Sequence, residues 1–264
     1  MTDAVLRSTD IAAARQVDLL AALLDHATPP WRHGELPPLA HWLLFAPDAR
    51  QSLIGLDGHP ARDDGGLPRR MWAGSRVRFL SPIPLGAEVV RETRTAAVAD
   101  KVGRSGRMQF VTLQHRLFVN GVECLIEDQD IVYREAGGGP LPPGEAAALP
   151  SVVREVHPDP VQLFRFSALT FNGHRIHYDR PYTVEVEGYP ALVVHGPLIA
   201  TLLMDHFLRS QPAAPVGHFM FRAMRPLFDN APFRLGLEPD ATGGDLGAYD
   251  AGGALAMQAR VDLQ

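Results

Sequence analysis

Cysteine is almost absent from the sequence, whose 264 residues include only Cys124. One cysteine cannot form a disulfide within the chain or supply the thiolates of a cysteine-based zinc site. The apolar character of residues 122–126 favours a small buried side chain. We therefore expect a protein of a reducing compartment, the cytoplasm.

Long hydrophobic runs and excess positive charge are also missing. Charged residues precede any apolar stretch at the N-terminus, unlike a signal peptide. The most apolar segment, residues 191–203, is interrupted at His195, Gly196 and Pro197 and is too short to span a bilayer. The net charge of −5 excludes the basic surface of a general nucleic-acid binder. These absences predict a soluble protein without membrane or nucleic-acid partners.

Turn-forming residues divide the chain into two halves. Residues 136–150, rich in glycine, proline and alanine, predict a linker between residues 1–135 and residues 151–264. In each half a helical region precedes several strands, which predicts an α+β fold with antiparallel sheet. The segment from Val77 to Ile83 aligns with that from Phe221 to Leu227 at a constant offset of 144 residues, and this weak repeat favours a duplication.

Local patterns predict the elements. Thr9 or Asp10 is expected to cap a first helix, residues 39–45 to form a short buried helix, and Pro197 to begin another. Asn120-Gly121 predicts a hairpin turn because both residues accept positive φ. Strands are predicted from apolar–polar alternation over residues 75–80, 88–97, 109–119, 131–133, 219–224, 233–237 and 255–261.

Side chains suited to proton transfer are concentrated in one short segment. Asn172, His174 and His177 fall within six positions, and histidines three apart lie on the same side of a helix or turn. Adding water to an unsaturated thioester needs a base, an acid and donors for the developing oxyanion. The histidines can move protons, and the helix start at Gly196 offers backbone donors. Histidines at this spacing are also common as packing or surface residues.

Two segments then carry a resemblance to a known family. They are residues 169–179, Leu-Thr-Phe-Asn-Gly-His-Arg-Ile-His-Tyr-Asp, and residues 188–197, Gly-Tyr-Pro-Ala-Leu-Val-Val-His-Gly-Pro. They resemble the MaoC-like (R)-specific enoyl-CoA hydratases, and most of all the branch of type 2 hydroxyacyl-thioester dehydratases and mesaconyl-C4-CoA (3-methylfumaryl-CoA) hydratases. Residues 67–74, 101–106 and 127–133 resemble the N-terminal dehydratase-like half of that branch.

The resemblance implies a double hotdog, an α+β fold of two units that each wrap an antiparallel sheet around a long helix. The first half is then a degenerate FAS1-like dehydratase-type unit that shapes the acyl pocket, and the second, MaoC-like half carries one active site. Acyl-CoA or acyl-carrier thioesters are the implied substrates, with no metal and no cofactor beyond the CoA of the substrate. A duplicated chain could be a monomer or a homodimer.

Residue roles follow from the family motif Gly-Asp-x-Asn-Pro-x-His. Its histidine falls on His177, its catalytic aspartate on Asn172 and its asparagine on His174. An amide is neither acid nor base, so the resemblance implies His177 as general base and acid, Asn172 as the residue that orients water, and the Gly196 N–H as oxyanion donor. Whether His174 supplies a second proton-transfer group stays open.

Substrate contacts are predicted near the motif. Arg175, Arg222 and Arg225 could bind CoA phosphates or a substrate carboxylate through their guanidinium groups, although surface salt bridges would explain each alone. Tyr178 and His195 are further candidates, and His195 could equally hold the turn before the helix. A metal site is not expected, because no well-placed third ligand joins the two motif histidines.

The expected enzyme is a hydro-lyase that hydrates mesaconyl-C4-CoA to citramalyl-CoA. The nearest alternative is a 3-hydroxyacyl-thioester dehydratase of fatty-acid type, which would need an apolar tunnel rather than a buried arginine. Two alternatives remain: a hotdog thioesterase using Asp179 or Glu185, and a non-catalytic thioester-binding protein. The absence of aspartate at position 172 suggests the last of these.

Overall fold

The structure, a computed structural model, describes residues 4–62, 65–103, 106–135 and 144–264. Residues 136–143 of the predicted linker, and Arg104 and Ser105 within the segment 101–106, lie outside the described residues. None of the described helices combines the length and the apolarity needed to cross a membrane.

Two sets of elements follow each other along the chain. The first set is β1 (Leu6–Ile11), α1 (Ala14–Leu23), β2 (Arg69–Phe79), β3 (Glu88–Gly103), β4 (Gly106–Val119) and β5 (Val122–Arg134). The second set is β6 (Val152–Val156), α2 (Pro160–Thr170), α3 (Gly196–Ser210), β7 (Val216–Ala223), β8 (Phe233–Asp240), β9 (Gly243–Tyr249) and β10 (Leu255–Leu263). Short helical turns cover Ala40–Leu43, Gln51–Leu53, Arg175–His177 and Tyr182–Val186.

The strands form one antiparallel sheet in the order β1-β3-β4-β5-β2-β7-β10-β9-β8-β6. Each set therefore has the same order, and β2 pairs with β7 at the centre. In that pairing Arg76 lies opposite Met220, the residue 144 positions later that is its equivalent in the repeat. The pairs Val77–Phe219 and Ser75–Phe221 flank it and exchange with each other under the same 144-residue relation. The weak repeat thus corresponds to a pseudo-twofold axis through the middle of the sheet, and the α+β prediction is confirmed.

One hydrophobic core spans both sets of elements. α1 contributes the face of Val17 and Leu20, whereas α3 is buried continuously from Leu198 to Leu208. A helix that is apolar on all sides is stable only inside the protein, where other elements cover it. α3 packs on β8, β9 and β10, and this packing fixes the position of its N-terminus relative to the sheet.

Several local predictions are confirmed and others are wrong. The Asn120-Gly121 turn joins β4 and β5 with positive φ at both residues, and the helix at Pro197 begins at Gly196. Thr9 and Asp10 do not cap α1, because both lie in β1 and the Asp10 carboxylate accepts a hydrogen bond from Phe45 N at 2.6 Å. The run at 39–45 forms only the short turn Ala40–Leu43, since Leu39 has positive φ.

Candidate active site

The motif segment begins where α2 ends. Phe171 closes the helix in the left-handed conformation (φ 50°), and Asn172 N donates to Ser167 O at 2.8 Å. The Asn172 Oδ1 then accepts the backbone N–H of His174 at 3.0 Å, a local turn typical of asparagine. Because Oδ1 is engaged, the side-chain NH₂ of Asn172 is left to bind something else.

His177 is held as a neutral base. Its Nδ1 lies 2.7 Å from the carbonyl oxygen of Val193, and a carbonyl only accepts, so Nδ1 carries the hydrogen and Nε2 the lone pair. Burial lowers the pKa of His177 to about 4, although the bond to Val193 acts in the opposite direction. The ring is therefore an uncharged proton acceptor near neutral pH.

His195 packs against the ring of His177. The two rings stack at 3.6 Å between centroids, and Ser167 Oγ hydrogen-bonds His195 Nε2 at 2.8 Å. His195 is fully buried, which lowers its pKa far below the usual value and keeps it neutral. His195, predicted either to contact substrate or to hold the turn before the helix, packs against the ring of His177 at the start of α3.

His174 is the other motif histidine next to His177. Its ring stands perpendicular to that of His177, with centroids 5.4 Å apart. Burial, together with the nearby His59 and His177, lowers the pKa of His174 to about 2. A histidine that stays neutral in this way is a poor proton donor near neutral pH.

Two residues that the sequence reasoning missed, Asp57 and His59, come from the first half. The His59 ring lies 4.2 Å from that of His174, and its Nδ1 is 2.9 Å from Asp57 Oδ2. They belong to a Gly/Pro/Asp-rich loop that showed no periodicity. The available signal was the Asp-x-His spacing, which lets a carboxylate orient an imidazole.

A close backbone contact fixes this loop on the motif. A Cβ on Gly58 would lie 1.8 Å from Gly173 O, and a Cβ on Gly173 would lie 2.7 Å from Gly58 O. Gly58 also has φ +92°, a conformation that favours glycine. Arg175 N donates to Asp57 O at 2.9 Å on the same side. The two segments are therefore positioned together.

A cleft of about 1710 Å³ opens beside these residues and is lined by both halves. His59, Asn172 and Tyr178 line it, whereas His174, which is partly exposed, and the buried His177 and His195 are not part of its described lining. Its described walls also include Trp42, Arg62, Arg69, Arg70, Trp72, Tyr133, Phe164, Phe166, Phe171, Glu185 and Pro197.

The start of α3 leaves space for a ligand. A Cβ placed on Gly196 would meet no atom nearer than Trp72 O at 3.9 Å, and the φ of Gly196 is not in the positive range. Neither the backbone conformation nor protein packing therefore requires glycine at this position. The first N–H groups of a helix have no partner within it, so a substrate oxygen could bind there.

The predicted arginines lie elsewhere. Arg175 pairs with Asp179, donates to Leu56 O and stacks on Tyr182, so it holds the loop rather than facing a ligand. Arg222 is exposed on β7, and neither it nor Arg225 lines the cleft. The guanidinium groups at the cleft are those of the first half.

Comparisons with known proteins identify related sequences. The family model for hydroxyacyl-thioester dehydratase type 2 matches residues 39–229. A mesaconyl-C(4)-CoA hydratase of Chloroflexus aurantiacus is 46% identical, covering 96% of this chain and 93% of that protein. The mitochondrial hydroxyacyl-thioester dehydratase type 2 of Schizosaccharomyces pombe is 24% identical over 76% of this chain and 77% of its own.

Solved structures share the fold. HtdX of Mycobacterium tuberculosis superposes with a TM-score of 0.71 at 18% identity, covering 99% of this chain and all of that one. A second M. tuberculosis protein, described as a double hotdog, gives a TM-score of 0.58 at 13% identity, covering 100% and 96%. The predicted double hotdog is thereby confirmed.

The contact between Gly58 and Gly173 can be tested with two alanine variants. Gly58→Ala and Gly86→Ala both place alanine at positive φ, which costs about 1–2 kcal/mol, but a Cβ on Gly86 meets nothing within 4 Å. Overpacking should lower the free energy of unfolding of Gly58→Ala by a further 1–3 kcal/mol or so, measured by urea denaturation. Equal losses in the two variants would contradict the close contact.

Proposed function

The chain belongs to the hydroxyacyl-thioester dehydratase type 2 family, and from this we propose that it reversibly hydrates the double bond of an acyl-CoA thioester. The proposed substrate is mesaconyl-C4-CoA and the product citramalyl-CoA, as the 46% identity to the Chloroflexus hydratase favours. The observation that carries the proposal is the neutral His177, whose Nδ1 donates to Val193 O and so leaves a lone pair on Nε2, five residues after Asn172 at the cleft.

In the proposed mechanism Asn172 and His177 share one water molecule. The free NH₂ of Asn172 donates to the water oxygen, and His177 Nε2 accepts a water proton as the oxygen bonds to the β-carbon. Negative charge develops on the thioester oxygen, which accepts from the Gly196 N–H at the start of α3. Delivery of a proton to the α-carbon, by the now protonated His177 or by a second acid while His177 releases its proton to solvent, completes the hydration, and dehydration follows the same steps in reverse.

The cleft also suits a substrate with a free carboxylate. Arg70 lines it and lies near enough to His174 to lower the pKa of that ring, and it pairs with no carboxylate among the described residues. Arg69 by contrast binds Glu187, and Arg62 stacks on Tyr133. An unpaired guanidinium favours a dicarboxylic acyl group over a fatty acyl tail.

The thioesterase alternative has less support. Asp179 binds the Arg175 guanidinium and accepts the backbone N–H of Tyr182, so it is not free to activate water. Glu185 lines the cleft but is exposed. The proposed hydration needs no cofactor beyond the CoA of its substrate, since side chains move the protons. The buried, free Cys124 suits the proposed cytoplasmic location.

A hydration assay tests the proposal. Purified protein should remove the enoyl-thioester absorbance of mesaconyl-C4-CoA without releasing CoA, and His177→Ala should lower kcat roughly 10²- to 10⁴-fold. His218→Ala, a change on β7 outside the cleft, is the control and should leave kcat unchanged. Because His177 is a base with a pKa of about 4, its protonation should reduce activity only as the pH falls towards that value. Release of free CoA, or full activity of His177→Ala, would contradict the proposal.

Arg70 is expected to favour acyl groups with a free carboxylate. Loss of one charged hydrogen bond, about 1.5–3 kcal/mol, should raise KM for mesaconyl-C4-CoA on the order of 10- to 100-fold in Arg70→Gln. Turnover of crotonyl-CoA, which has no carboxylate, should change little. Arg222→Gln serves as the matched control. An equal effect of Arg70→Gln on both substrates would show that Arg70 does not read the carboxylate.

A further inference from the structure

His59 differs from the other histidines at the site in facing the cleft. Its Nδ1 is bound to Asp57, and Nε2 has no hydrogen-bond partner among the described residues. The ring of His174 lies close to both His59 and His177, with centroid distances of 4.2 and 5.4 Å. One imidazole of this cluster is therefore open to substrate and held by a carboxylate.

The charge on Asp57 supports a proton-carrying role. Burial alone would raise the pKa of Asp57, but hydrogen bonds from the side chain and backbone of His59 lower it to about 2. Asp57 is thus an anion at any pH at which the enzyme would work. A carboxylate on Nδ1 fixes the tautomer of an imidazole and stabilises the imidazolium formed during proton transfer. His174, His177 and His195 each lack a carboxylate at hydrogen-bond distance among the described residues.

The proposed hydration needs a proton for the α-carbon as well as a base for the water. His177 can deliver the proton that it takes from water, but a separate acid that faces the substrate lets the two transfers occur together. Asn172 cannot release a proton, and burial keeps His174 neutral. Of the histidines at the site, His59 lines the cleft and has a carboxylate on its Nδ1.

We propose that His59 is this second catalytic residue, oriented by Asp57 and supplied to the site by the first half of the chain. During hydration a water O–H bond breaks, its proton goes to His177 Nε2, and the oxygen bonds to the β-carbon. The π electrons form the new α-carbon–hydrogen bond with the proton from His59 Nε2. His177 then loses one proton to solvent and His59 gains one, so the balance closes. This assignment rests on the proposed function.

The backbone geometry explains how a loop residue is held accurately. Gly58, directly before His59, lies against Gly173, directly before His174. Arg175 binds the loop twice just before the contact, its N–H to Asp57 O and its guanidinium to Leu56 O at 3.1 Å. Catalytic groups must stay within a fraction of an ångström of their working position, and this clamp supplies that constraint.

Three variants test the proposal in the hydration assay. His59→Gln should lower kcat roughly 10²- to 10⁴-fold with little change in KM, and Asp57→Asn should lower kcat less. Added imidazole should restore part of the activity of His59→Ala, because the open cleft admits it and only a proton-transfer role can be replaced in this way. Thermal unfolding of each variant checks that the fold persists.

Other outcomes overturn the assignment. Unchanged kcat in His59→Gln, or a loss of activity that imidazole does not restore, would show that His59 does not transfer a proton. The proposed function would still stand if the wild type hydrates the substrate. The ligand atoms of Asp57, His59 and His174 lie within 4.8 Å of one another, a spacing that could hold a divalent cation. Loss of wild-type activity in EDTA with recovery on adding Zn²⁺ would show that these side chains hold a metal ion and that His59 is not an acid. A wild type inactive on enoyl thioesters would overturn the proposed function and this assignment with it.

Discussion

The hydrogen bond from His177 Nδ1 to Val193 O is the interaction on which the rest of the site depends. It fixes the tautomer that leaves a lone pair on Nε2, and it places the ring beside the segment that leads into α3. Val193 N donates back to Ile176 O at 3.0 Å, so the two segments are tied reciprocally. The base and the helix N-terminus that would bind the thioester oxygen are consequently set by the same pair of segments.

The two halves share one sheet order but would have different roles in the proposed site. The second half would supply His177, Asn172 and Gly196, and the first half part of the cleft wall and the loop of Asp57 and His59. The shared core and the continuous β2–β7 pairing hold the two halves together. The proposed site therefore combines residues of both halves.

Features formed by neighbouring residues could be predicted from the sequence, whereas contacts between distant segments could not. Asn172, His174 and His177 were found together because they lie within six positions, and the 144-residue repeat indicated the axis of the sheet. That Arg222 and Arg225 do not line the described cleft could not be predicted, because a repeat does not tell which face of a strand meets the cleft. His59 was missed because the contact between Gly58 and Gly173 joins segments over a hundred residues apart. β9, rich in glycine, lacks the alternation that identifies a strand.

The most direct test of the central claim is a ¹⁵N NMR titration of the imidazole of His177, assigned by comparison with His177→Gln. A neutral ring with hydrogen on Nδ1 and an unprotonated Nε2 is predicted across the neutral range, with protonation only as the pH approaches about 4. A ring that carries its hydrogen on Nε2, or that titrates near the ordinary histidine pKa of about 6.5, would contradict a base held by Val193.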